Sequence, residues 1–219
     1  MHTKNQGHSE NKPTKLIPAP AQANDTKTTP QGEPKLRSKL IELKATLGSL
    51  SKARDKINAM GARKQGTYRQ VDMYFNVHTG RLKLRKVDGE PTSMLVYYDR
   101  EDIPDLKESD IIILEIDDLE SLKDILQRSL GIKITVTKQR EIYHHQGTQI
   151  HLDDVEGLGT FIEFERPITD LPEDRRNLEG LMDSLGIGQG DLLTGSYSDL
   201  KTNGKYKAQK KSLTTGNYS

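Results

Sequence analysis

A chain of 219 residues, 32% hydrophobic and 30% charged, is long enough for one sizeable domain, yet its apolar content is diluted by something polar. No run approaches the roughly 18 apolar residues of a membrane span, no apolar signal-peptide core opens the sequence, and no cysteine offers a disulfide, a thiolate metal site or a thiol nucleophile. A soluble, cytoplasmic protein with no membrane partner is the expectation. The formal charge of +1 averages unlike segments, because residues 35–200 carry 24 Lys and Arg against 29 Asp and Glu while residues 201–219 carry five lysines and no acid. A mildly acidic body argues against a nucleic-acid partner, since phosphate backbones are held by net positive surface.

Residues 1–34 are rich in Pro, Gln, Asn, Thr and Lys and hold too few large apolar side chains to offset their ordering entropy, so a disordered tail is expected there. Lys39–Leu47 then reads as a strand and Ser49–Met60 as a helix, with Leu50, Ala53, Ile57 and Met60 at helical spacing and Gly61 as the stop. Tyr68–Val77 is a second strand, and Thr79-Gly80 turns the chain into a third, Arg81–Val87. Asp88-Gly89 turns it again into Met94–Arg100, and a polar loop holding Pro104 leads to Ile111–Ile116.

Leu119–Leu130 is an amphipathic helix, with Leu119, Leu122, Ile125, Leu126 and Leu130 on one stripe and Gly131 at its end. Ile132–Tyr143, Gln149–Val155 and Thr160–Arg166 are three more strands, turned at Gly147 and at residues 156–159. Pro172–Leu185 is a closing helix, capped by Asp170 and ended by Gly186. From Lys201 onward a second, basic disordered tail is expected. Eight strands, mostly hairpin-linked, and three helices give an α+β body over residues 35–200 with an antiparallel sheet.

Strand parity sorts the charges. Arg81, Lys83 and Arg85 share one face and Leu82 and Leu84 the other. Likewise Glu42 and Lys44 oppose Ile41 and Leu43, His151 and Asp153 oppose Ile150 and Leu152, and Glu163 and Glu165 oppose Ile162 and Phe164; Lys138 and Arg140 share a face as well. Such faces either meet solvent on a half-covered sheet or point into a closed barrel. Pattern alone does not choose between the two. A charge-lined interior would need water, metal or an ionic ligand, and one holding both carboxylates and cations suits a metal–triphosphate complex.

Five stretches in order resemble the CYTH superfamily, the triphosphate tunnel metalloenzymes, in the branch related to class IV adenylyl cyclases and thiamine triphosphatase. They are Ile41-Glu42-Leu43-Lys44, which resembles an ExExK signature; residues 70–75; Gly80 through Arg85; residues 138–143; and residues 151–159, with residues 195–200 closing the match. The resemblance implies an eight-stranded antiparallel β-barrel forming a tunnel, with helices packed outside. It further implies that Lys44, Arg81, Lys83, Arg85, Arg100, Lys138 and Arg140 hold a triphosphate, and that Glu42, Asp153, Glu163 and Glu165 bind Mg²⁺ or Mn²⁺. Glu42 and Lys44 are the catalytic candidates. The first Glu of the signature is Leu40 here, which removes one carboxylate.

The leading expectation is metal-dependent hydrolysis of the terminal phosphoanhydride of a small triphosphate, such as tripolyphosphate or thiamine triphosphate. An adenylyl cyclase making cyclic AMP from ATP is the alternative, and a binding module without turnover is a third. The oligomeric state is left open.

Overall fold

The computed structural model describes residues 36–204, so the tail expected over residues 1–34 and most of that expected over 201–219 lie outside the described residues. Eight antiparallel strands form a closed barrel: β1 (Leu36–Thr46), β2 (Arg63–Phe75), β3 (Arg81–Val87), β4 (Ser93–Arg100), β5 (Lys107–Ile116), β6 (Ile132–His145), β7 (Thr148–Val155) and β8 (Gly159–Pro167). Around the barrel they run β1-β5-β4-β3-β2-β6-β7-β8. The first strand closes it. Its first half pairs with β5 (Leu36 opposite Ile113, Glu42 opposite Lys107) and its second half with β8 (Glu42 opposite Glu165, Thr46 opposite Phe161). Closure leaves no edge strand and decides which way each face points.

Three of the helices are those the periodicity predicts: α1 (Leu50–Ala59), α2 (Leu119–Leu130) and α3 (Leu171–Leu185). Each has a side-chain cap at its N-terminus, Ser49 accepting from the Lys52 amide, Asp118 from Ser121 and Asp170, as expected, from Glu173. Ile57 of α1 and Leu178, Leu181 and Met182 of α3 pack on the outward residues Ile41, Leu43, Ile150, Leu152, Ile162 and Phe164 of β1, β7 and β8. Each such buried side chain contributes on the order of 2 kcal/mol. That core lies outside the barrel wall, so the charged face of the same strands can only point in. On the other side α2 buries none of its residues fully, and Ile125 stays exposed.

Three elements differ clearly from expectation. β2 starts at Arg63 rather than Tyr68 because β6 pairs with it as far as His144, across an irregularity at Gln65. β5 starts at Lys107 rather than Ile111 because β1 pairs with it back to Lys107, opposite Glu42. A fourth helix, α4 (Tyr197–Asn203), follows a single turn of 3₁₀ helix at Gln189–Asp191 and runs three residues beyond Leu200. Seven residues are too few for a periodic signal. A capping box (Ser196 with Asp199) and tertiary contacts hold this helix instead.

Candidate active site in the barrel interior

The interior has two zones. At the end where β1 finishes, Tyr74, Tyr98, Val96, Val136, Val155 and Phe161 form an apolar layer with Tyr197 of α4. The approach to α4 is tied to the wall by the Leu193 amide donating to the Lys44 carbonyl and by a bridge between Leu192 and Ala45. Next to this layer lies the charged zone, in which Lys44, Lys83, Arg85, Arg100, Lys107, Lys138 and Arg140 face Glu42, Asp72, Asp153, Glu163 and Glu165. Strand register places these groups on the inward face: Lys83 sits opposite Tyr74, Asp72 opposite Arg85, Arg140 opposite Asp153, and Lys44 opposite Glu163.

Cations outnumber carboxylates in this zone by two, and the geometry shows which ones are short of a partner. Asp72, with a side chain 1% exposed, takes Arg85 in a fork at 2.6 and 2.7 Å. Its Oδ2 is shared further with Lys138 at 3.3 Å and Lys83 at 3.6 Å. One carboxylate therefore serves three cations. Burial would raise the Asp72 carboxyl, but Arg85, Lys138 and Lys83 outweigh it and hold it well below the usual carboxylate range. The two lysines show the deficit: burial, then Arg85, pulls Lys83 down to about 8, and burial, then Arg140, pulls Lys138 down to about 7. Lys107 is likewise lowered to about 8, first by burial and then by Arg100, and its Nζ donates to the Leu193 carbonyl.

The remaining pairs are tighter. Arg140 forks onto Asp153 at 2.7 and 2.6 Å and also donates to Glu163. The Tyr197 hydroxyl donates to Asp153 at 2.6 Å, and the Lys44 ammonium stands 4.2 Å over the Tyr197 ring while pairing with Glu163. Glu42 pairs with Arg100 at 2.7 Å, yet burial dominates and leaves its carboxyl raised, with Glu163 and Glu165 pushing the same way. Arg81 stands apart at the start of β3, with its guanidinium taken by Asp199 of α4 at 2.7 Å and by Asp102 at 2.6 Å.

Of the residues named from sequence, Lys44, Lys83, Arg85, Arg100, Lys138 and Arg140 thus converge in the charged zone, and Arg81 is committed to α4. The four carboxylates given to the metal divide. Glu163 and Glu165 stand beside His151, and donor atoms of these three side chains lie within 4.8 Å of one another. Glu42 is engaged by Arg100, and both oxygens of Asp153 by Arg140 and Tyr197. Sequence reasoning assigned no role to Asp72, Lys107 or Tyr197, and it placed His151 on the charged face of its strand without giving it a ligand role. The alternation Gln70-Asp72-Tyr74 carried the signal for Asp72, whereas Tyr197 reaches the interior only through the fold.

The CYTH domain family matches residues 38–197. The chain belongs to this family. A relative from Methanocaldococcus jannaschii, provisionally named adenylate cyclase, is 29% identical over 174 residues, covering 74% of this chain and 97% of its own. Among solved structures, a protein of Pyrococcus horikoshii OT3 shares the fold with a TM-score of 0.69 at 24% identity, covering 74% of this chain and 98% of its own. A Hippeastrum protein, provisionally named an adenylyl cyclase and described as having dominant triphosphatase activity, shares it with a TM-score of 0.56 at 18% identity, over 75% and 96% of the two chains.

Proposed function

We propose that the protein is a divalent-metal-dependent triphosphatase that removes the terminal phosphate of a small triphosphate, tripolyphosphate or thiamine triphosphate being the simplest candidates. The observation that carries the reading is the shortage of counter-charge at Lys83 and Lys138. A buried ammonium group, Lys138, and a partly buried one, Lys83, share one oxygen of a carboxylate already forked by Arg85. An entering polyphosphate supplies the missing anion, and its binding is strengthened by exclusion of water from the site.

In this reading Lys83, Arg85, Lys138 and Arg140 hold the chain of phosphates, and Lys44 neutralises charge at the phosphate nearest Glu163. Glu163 and Glu165 would hold the metal, which would supply positive charge to offset the charge that develops on the phosphates. Glu42, whose buried carboxyl is raised, would accept a proton at Oε2 from the attacking water. Arg100 keeps that side chain in position through Oε1.

The name of the Methanocaldococcus relative favours a second reading, formation of cyclic AMP from ATP. Product identification separates the two. Purified protein with Mn²⁺ or Mg²⁺ and a panel of tripolyphosphate, thiamine triphosphate and ATP should release inorganic phosphate. Cyclic AMP and pyrophosphate from ATP would establish the cyclase, and tight binding without turnover would leave a binding module.

A further inference from the structure

We propose that His151 is a nitrogen ligand of the metal site and that the site consequently takes Mn²⁺ in preference to Mg²⁺. The inference rests on the metal-dependent reading above and deepens it. Its geometry is that of an imidazole already set for coordination. The side chain is 3% exposed, and Nε2 lies 3.1 Å from the Gln149 side-chain oxygen. An amide oxygen only accepts, so Nε2 carries the proton and Nδ1 is left with a bare lone pair.

That lone pair is buried without a hydrogen-bond partner. It faces Glu163 Oε2 at 3.6 Å and Glu165 Oε1 at 3.8 Å, beyond hydrogen-bond distance. Three electron-rich donors turned toward one another repel unless a cation stands between them. A metal about 2.1 Å from each donor needs donors roughly 3.0–3.5 Å apart, so small side-chain adjustments complete the cradle. Glu163 Oε2 now accepts from Arg140, which keeps its fork onto Asp153 when that contact is given up. Gln149 supplies the outer contact that orients a metal-bound histidine.

The chemistry of this set decides between the two ions. Leu40, two residues before Glu42 on the same inward face and 4% exposed, offers no carboxylate to make an all-oxygen cage. Mg²⁺ demands oxygen ligands and sheds water reluctantly, whereas an imidazole with two carboxylates suits a first-row transition ion.

The test uses the full chain and Mn²⁺ alone, with no turnover. Electron spin-echo modulation of the bound Mn²⁺ should show coupling to a directly ligated ¹⁴N, and Mg²⁺ should displace the ion only in large excess. In His151→Asn the nitrogen coupling should vanish and Mn²⁺ affinity should fall at least about tenfold. In His151→Asp, which restores an all-oxygen set, Mg²⁺ should compete at least about tenfold better than in the parent. Melting curves of both variants establish that they are folded. Binding of Mn²⁺ without nitrogen coupling, or unchanged affinity and coupling in a folded His151→Asn, overturns the proposal and leaves the metal-dependent reading intact. Absence of any Mn²⁺ or Mg²⁺ binding, with or without a non-hydrolysable tripolyphosphate analogue, overturns both.

Discussion

Replacing Asp72 by Asn tests whether the interior depends on an internal anion. The substitution preserves shape and removes the one charge that Arg85, Lys83 and Lys138 share. Removing one partner of a buried charge pair costs about 3–5 kcal/mol, because the charges left behind are neither solvated nor compensated. In a domain of this size each kcal/mol moves the melting temperature by about 2–4 °C, so a drop on the order of 12 °C is expected. Tripolyphosphate should reverse much of it, since the polyanion takes the place of the lost carboxylate. Calorimetric or fluorescence melting of parent and Asp72→Asn, each with and without tripolyphosphate, is the assay. The ligand-induced rise should be larger in the variant. A variant melting within about 3 °C of the parent, or an equal rise in both, would refute the idea that these cations lack counter-charge.

Arg85→Ala and Lys44→Ala should each weaken binding of a non-hydrolysable triphosphate by about 10- to 100-fold in titration calorimetry, the scale of a lost charge-assisted hydrogen bond. Parental affinity in both would place the phosphates elsewhere. Glu165→Ala should raise the metal concentration needed for half-maximal phosphate release, and an unchanged metal requirement would remove Glu165 from the metal site. Gly80 has φ +63, and a Cβ there would stand 2.7 Å from the Tyr98 carbonyl oxygen. Gly80→Ala is therefore expected to lower stability by more than about 1 kcal/mol in denaturant unfolding, and a variant as stable as the parent would contradict that geometry.

The pH dependence has a definite sign. Lys83 and Lys138 sit at about 8 and about 7 without ligand, and a bound polyanion raises both. Their contribution to affinity is therefore complete below about pH 7 and fades as pH rises through the bound-state values. Calorimetry at about pH 8 in buffers of different ionisation enthalpy should show more proton uptake for the parent than for Lys138→Met; equal uptake would contradict the assignment.

Much of the architecture was legible in the sequence because local rules agreed with the tertiary outcome. Arg81–Val87 and Leu119–Leu130 were bounded by Gly80, Asp88-Gly89 and Gly131, whose turn chemistry leaves little freedom in where an element stops. Alternation put Glu42 with Lys44 and Glu163 with Glu165 on common faces, and the structure keeps those faces. α4 was not legible, since its stability comes from Tyr197 against Phe161 and from Asp199 against Arg81 rather than from its own seven residues.

The sequence by itself determined that eight strands form, where three of the helices end and which side chains travel together, because these follow from periods of 2 and 3.6 and from the conformations that glycine and capping residues allow. Only the tertiary structure decided what the charged faces meet. Closing β1 onto both β5 and β8 turned rows that an open sheet would have shown to water into a buried zone. There Asp72 answers for three cations, Arg81 is spent on α4, and His151 turns a bare nitrogen toward two carboxylates. Pairing across strands distant in sequence sets those partnerships, and no local period encodes it.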